Sequence, residues 1–196
     1  MNAERESTPI SVEVVRTLDQ LTQVYALRGI VYVGEQACPF DEEFDGNDLC
    51  GATHLLARIG REPVGAIRMR WFAGFAKLER AAVLRRYREC GVARALWEAS
   101  AALAARKGYR QMLGHIEPQL LEFWQSCAGF RLREGRATFR FSDREYVEVI
   151  ADLPACAEAI DLATPPLLLL RPEGAWDEPG VLDQSAARRP AERKLG

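Results

Sequence analysis

The residues best placed to do chemistry are Arg88-Glu89-Cys90-Gly91-Val92-Ala93, where strand periodicity gives way to helix periodicity. Arginine stands first, and small residues stand fourth and sixth. A helix N-terminus exposes unpaired backbone N–H groups and carries partial positive charge. Small side chains let a phosphate approach those donors, so the spacing predicts an anion site built from backbone. Arg85, Arg86 and Arg88 add positive potential around it. The segment lacks the G-K-[ST] of a Walker loop and the three spaced glycines of a dinucleotide fingerprint. An ordinary strand-to-helix turn is the alternative reading of these six residues.

The charges around this segment are segregated. The chain has 196 residues with 26 Lys+Arg, 28 Asp+Glu and a formal net charge of −2. Six acids (Glu35, Asp41, Glu42, Glu43, Asp45, Asp48) stand together without a base, and eight bases lie between Arg68 and Arg94 with only Glu79 and Glu89 among them. Two solvated surfaces would explain this, and so would a bipolar site with an anion at one end and a cation at the other. The near-neutral balance argues against nucleic acid as a partner. Five scattered cysteines without a C-x-x-C pair, and only His54 and His115, predict reduced thiols and no metal site. No apolar run reaches the ~20 residues that span a bilayer, and the polar start is no signal peptide. The expected location is the cytoplasm, with no membrane partner.

Several elements are needed to position the segment. Residues 1–10 read as a polar leader. Val12 and Val14 alternate with Glu13 in a strand, and Thr17 to Gln20 has capping-box spacing ahead of a helix that ends before Pro39 and opens into the acidic loop. His54–Ile59 and Val64–Trp71 flank a hairpin turn at Gly60 to Pro63. In the following strand, Ala76 to Leu84, alternation puts Glu79 on the face of Val83. After Gly91, the residues Val92, Leu96, Ala99 and Leu103 form a helical stripe ending at Lys107-Gly108. A strand at Gln111–Ile116, a helix from Pro118 to about Ala128 and a hairpin of Ala137–Phe141 with Tyr146–Leu153 complete the domain, residues 11–153. Residues 154–196 form a Pro-rich appendage. Its Leu167 to Leu170 are expected to dock on the body or on a partner, and its basic end to be mobile.

The run Leu78 to Ala93 resembles the strand and pyrophosphate loop, R/Q-x-x-G-x-G/A, of the GNAT acetyltransferases. Phe123-Trp124 followed by Gly129-Phe130 is similar to that family's F-Y-x-x-x-G-F element. The stretch from Arg28 through Glu35-Gln36, Asp45-Gly46 and Asp48 to Thr53-His54-Leu55 is similar to one bacterial branch. The resemblance implies an α+β fold: a mixed, mostly antiparallel twisted sheet of about seven strands, with helices on both faces. The sheet splays between Ala76–Leu84 and Gln111–Ile116 to admit acetyl-CoA. It further implies that the amides from Arg88 through Glu89, Cys90, Gly91 and Val92 to Ala93 hold the pyrophosphate. By the same resemblance, Val83 would lie beside the pantetheine arm and offer its N–H to the thioester oxygen. The acceptor, a primary amine of a small molecule or protein, attacks the thioester directly, so positioning and oxyanion stabilisation dominate.

For the general base the resemblance leaves Glu79, His115 and Glu117 open, each with a structural alternative, while His54 reads as a strand residue facing the sheet. The family's proton-donating tyrosine is replaced by Trp124, or by Gln125 in the other register, and neither supplies a useful acid. Cys127 reads as a buried thiol. The acidic loop, if it borders the cleft, favours a cationic acceptor, and Leu167–Leu170 could make a homodimer contact. Two other functions stay open: an acyl-homoserine-lactone-synthase-like acyltransferase, and a catalytically silent CoA-binding or interaction module.

Overall fold

The computed structural model of the chain describes residues 9–141 and 143–186. Most of the expected leader, Ser142 and the basic end of the appendage lie outside the described residues. The chain divides into two units between Ala159 and Ile160.

The first unit holds an eight-stranded sheet: β1 (Ile10–Val14), β2 (Thr53–Ile59), β3 (Glu62–Phe72), β4 (Phe75–Val83), β5 (Gln111–Ile116), β6 (Arg131–Leu132), β7 (Phe139–Phe141) and β8 (Arg144–Asp152). Their order is β1-β2-β3-β4-β5-β8-β6, with β7 paired to the start of β8. Every pairing is antiparallel except β4 with β5. The expected mixed, mostly antiparallel sheet is therefore observed.

Helices cover both faces because neighbouring strand residues point to opposite sides. Ala66 packs with Val24 and Leu27 of α1 (Leu18–Arg28). A Cβ on the adjacent Gly65 would lie 2.8 Å from Val92 and 3.2 Å from Leu96 of α3 (Val92–Arg106), so glycine is what lets α3 approach this closely. The capping box of α1 forms as its spacing predicts: Gln20 N–H donates to Thr17 Oγ1 at 3.2 Å, and Thr17 N–H to Gln20 Oε1 at 3.1 Å. Beyond α1 the chain widens into a π-helical turn, Gly29–Glu35, and the acidic loop contains the short α2 (Phe40–Glu43). The second wall of the sheet carries α4 (Leu121–Ala128), ended by Gly129 in the left-handed region.

Two features of β4 matter for the site. Its pairing with β5 runs only from Ala76↔Met112 to Leu78↔Gly114, although β4 continues to Val83 and β5 to Ile116. The strands part there, as the splayed sheet requires. In addition, β4 carries a bulge. Glu79 pairs with Arg68 and Ala82 with Ala66, so Arg80 and Ala81 together oppose one residue of β3. Arg80 sits at φ +55°, as the first residue of a G1-type bulge does. The extra residue reverses the alternation: Glu79 shares the face of Arg68, and Val83 that of Gly65, on the other side. The expectation that Glu79 and Val83 share a face is therefore corrected.

The second unit holds α5 (Pro166–Leu169) and α6 (Val181–Ala186), clamped by Arg171 to Asp183 at 3.0 Å. Leu167, Leu169 and Leu170 keep about half of their surface exposed. No helix among the described residues is long and apolar enough to cross a membrane.

Candidate active site

The open edge of β4 begins the site. Leu84 N–H donates to Val64 O at 3.0 Å, on the β3 side. By strand alternation the N–H and C=O of Val83 face the opposite side, where β5 has already diverged. Consistent with that, Val83 O accepts from Arg88 Nε at 3.1 Å, and Ala81 O from the Tyr32 hydroxyl at 2.7 Å. A 3₁₀ turn, Arg85–Tyr87, then leads to Glu89 at φ +69° and Gly91 at φ +84°. Gly91 is the N-cap of α3 and supplies no capping side chain. Helix N–H groups and dipole there suit an anion. The arginines beside it are held on the rim: Arg88 Nη2 by Glu35 at 2.6 Å, Arg85 by the same carboxylate at 3.8 Å, and Arg86 by Glu62, which also accepts from Tyr87. Glu35 ends the π-helical turn that also delivers Tyr32, so one turn touches both the strand and the loop.

The acidic block has a different fate from the one its composition suggests. Arg28 and Arg68 are fully buried. Arg28 meets Glu43 at 2.5 Å and Asp48 at 2.6 Å, and its guanidinium lies over Tyr25 and Phe44. Arg68 meets Asp45 at 2.7 Å, Asp48 at 2.8 Å and Glu79 at 3.0 Å. Arg80, turned by the bulge, reaches Glu43 at 3.0 Å and Asp45 at 3.2 Å. Burial opposes the ionised form of Asp45 and Asp48, but the bonds from Arg68, and from Arg28 to Asp48, hold both below the usual carboxylate range. At the fully buried Glu43, desolvation wins over Arg28 and Arg80 and pushes the carboxyl up. Glu43 and Asp48 are thus paired inside the protein, Asp45 is paired with arginine at its surface, and Glu35 is taken by the loop arginines. Asp41 and Glu42 stay exposed, and Glu42 borders the groove described below.

The sequence candidates for catalysis fall in three places. Glu79 lies in the network, 2.9 Å from Lys77 as well as beside Arg68. His115 and Glu117 stand on the wall across the gap. His115 Nε2 is 3.3 Å from Glu148 of β8, its ring edge-on to Phe139, and burial and then the charge of Lys77 hold it below its ordinary value. Glu117, just past β5, accepts from Arg144 Nη1 at 2.8 Å. Trp124 is buried with its ring against Phe123 and Phe130, which makes it a packing residue of α4, while Gln125 is exposed. Cys127 is buried as expected, with its thiol pushed up by desolvation. His54 is buried beside Asp48, its Nε2 3.4 Å from the Asp48 carbonyl, and burial lowers its pKa.

Sequence reasoning missed Tyr32, Arg80, Arg144 and Tyr146, which line one cavity between the two walls. Beside it lies a groove of about 500 Å³ bordered by Gln36, Ala37, Pro39, Glu42, Asp143 and Arg144. Arg144 spans the two walls, donating to Glu117 and, at 3.1 Å, to Gln36 O. The non-glycine residues with positive φ among the described residues are Ala37, Arg80, Glu89 and Asp143. One lies in the anion loop and three around this cavity and groove. Strained backbone of this kind concentrates where a ligand is handled.

Known proteins agree with this geometry. The family model described as Acetyltransferase (GNAT) family matches residues 19–130. The uncharacterized N-acetyltransferase YjcF of Bacillus subtilis is 31% identical over 119 residues, 61% of this chain and 84% of that protein. A GNAT family acetyltransferase from Elizabethkingia anophelis, solved with acetyl-CoA, superposes with a TM-score of 0.58 at 16% identity, over 74% of this chain and 98% of that one. The CoA-dependent acyl-homoserine lactone synthase BjaI, solved with SAM and isopentyl-CoA, gives 0.64 at 18% identity, over 74% of this chain and 84% of that one. With more than half of its length matched by the family model, the chain belongs to the GNAT acetyltransferase family and is an acyltransferase.

Proposed function

We propose that the chain moves an acetyl group from acetyl-CoA to a primary amine of a small molecule or protein, by direct attack of the amine on the thioester. The observation that carries this reading is the parting of β4 from β5 beyond Leu78 and Gly114, opening onto the Gly91-capped start of α3. The pyrophosphate binds the N–H groups from Arg88 to Ala93, with Arg88 released from Glu35 to meet it. The pantetheine arm runs back along the free edge of β4. There the Val83 N–H, unused by β3, stabilises the charge that develops on the thioester oxygen. The neighbour solved with acetyl-CoA supports the donor class.

Glu117 is the base this reading favours, at the mouth of the gap and directly before Pro118. Glu79 is held by Arg68 and Lys77 on the other face of β4, and His115 is turned to Glu148. With Glu43, Asp45 and Asp48 engaged by Arg28, Arg68 and Arg80, the charges the acceptor meets are those of Glu42, Asp143 and Arg144 around the groove.

The test is Gly91→Val. A β-branched residue at φ +84° is strained, and its side chain stands where the phosphate approaches. Acetyl-CoA affinity should fall more than tenfold, an order-of-magnitude expectation for one to three kcal/mol of strain, while the circular-dichroism spectrum is retained. Unchanged affinity would remove the pyrophosphate assignment. The same protein offered SAM and an acyl-CoA should form no lactone. Acetyl-CoA binding without thioester consumption across a broad amine panel would mark a catalytically silent module instead.

A further inference from the structure

We infer that a second binding site, apart from the acetyl-transfer cleft, takes a free α-amino acid with an apolar side chain. A cavity of about 410 Å³ lies where the end of β1, the first turn of α1 and the loop leading into β2 meet. It shares no lining residue with the cavity at Tyr32 or the groove at Arg144. The register places it two strands from β4, since His54 pairs with Arg68 and Arg68 with Glu79. Its volume lies in the range of small-molecule sites.

Two buried side chains that line this cavity leave acceptor atoms unused. His54 is 4% exposed, and its Nδ1 has no hydrogen-bond partner among the described residues. Its Nε2 lies 3.4 Å from the Asp48 carbonyl oxygen and 3.7 Å from Asp48 Oδ1, and both are acceptors. Nε2 therefore carries the ring hydrogen, and Nδ1 is left with a lone pair. Burial lowers the pKa of the ring and so keeps it neutral. Asp48 is 8% exposed, and Arg28, Arg68 and His54 all meet its Oδ1. Among the described residues none bonds to Oδ2. Buried acceptors without a donor are costly. An ammonium brings three N–H donors and a charge opposite to that of Asp48.

The outer end of the cavity has the other sign. Thr17 caps α1 by accepting from Gln20 N–H, and Leu21 N–H bonds to Thr17 O. The N–H groups of Leu18 and Asp19 have no partner among the described residues, and Arg16 next to them makes no ion pair there. Free N–H groups at the positive end of an eleven-residue helix, beside a guanidinium, suit a carboxylate. The remaining wall is apolar. Leu18 and Leu49 border the cavity while 78% and 81% exposed, with Val15 and Leu21 half-buried beside them. An apolar ligand would cover that surface. A zwitterion with an aliphatic side chain answers all three features at once.

Calorimetry on the full chain with L-leucine is the test. L-leucine should bind saturably. Isopentylamine and isocaproate, each lacking one charged end, should bind about tenfold more weakly, on the order of one charged hydrogen bond. In protein with isotope-labelled histidine, saturation should move the Nδ1 resonance of His54 and leave that of His115 in place. Leu49→Glu alters a side chain that already stands in water, so the fold is retained. It removes one apolar wall and sets a carboxylate against that of the ligand, so L-leucine affinity should fall about tenfold. Acetyl-CoA affinity should stay at the wild-type value. No saturable binding of L-leucine, equal binding of either analogue, a still His54 Nδ1 resonance, or binding untouched by Leu49→Glu would each overturn the inference. All four leave the acetyl-transfer reading as it stands.

Discussion

Two groups of arginines in this chain have opposite fates. Arg28 and Arg68 are wholly buried and meet Glu43, Asp45, Asp48 and Glu79 at 2.5 to 3.0 Å. Arg85, Arg86 and Arg88 stand on the rim of the α3 N-terminus with side chains 79%, 55% and 42% exposed, held by Glu35 and Glu62. The first group spends its charge on the chain itself, and removing one member would strand several buried partners. The second is paired loosely in water, where a contact is worth little and a phosphate can replace it. Charge density along a sequence does not distinguish these uses; burial does.

That contrast can be broken at its strong end first. Arg68→Met should lower unfolding free energy by about 3–5 kcal/mol, because Asp45, Asp48 and Glu79 lose a shared buried partner. A loss below about 1 kcal/mol in urea denaturation would mean that the network is not structural. A smaller effect should appear with pH. His54 and His115 both titrate below their unfolded value of about 6.5. As pH falls from 7 the unfolded chain therefore takes up their protons first, and stability declines. Below about pH 4 the lowered Asp45 and Asp48 add a second loss, as the unfolded chain protonates them before the folded one does. The raised Glu43 works in the opposite sense and softens it. Melting temperatures across this range check the order, and His54→Gln should flatten the first decline. The smallest effect belongs to the rim. Glu35→Gln frees Arg88 and should tighten acetyl-CoA binding by roughly two- to fivefold, the span of an exposed ion pair. Weaker binding by calorimetry would make Glu35 an organiser of the loop instead of a competitor for it.

Local signals were legible in the sequence. The Thr17–Gln20 box, the β2–β3 hairpin, the α3 stripe and the glycine that begins it each depend on residues a few positions apart, and each formed. Long-range effects were hidden. The β4 bulge exists where Arg80 turns out to reach Glu43 and Asp45, some 35 positions earlier, and no local pattern announces it. Nothing local to Arg28 announces that the acidic loop folds back and buries it. A fully buried arginine inside the apolar run Ala66-Ile67-Arg68-Met69 did carry a signal, since such a residue needs a matching acid. Tyr146 gave none: its position in the cleft follows from strand register and from the parting of β4 and β5.

That parting has a consequence for how the molecule can change over time. Three residue pairs are the whole backbone ladder between β4 and β5, so the sheet is two plates joined along a short seam. One plate carries α3; the other carries the β7–β8 hairpin, and on the proposed reading they hold the donor and face the acceptor respectively. Substitutions in the second plate can reshape its face of the gap while the ladder of the first stays in register. On that reading, such a chain can acquire new acceptors without relearning its donor.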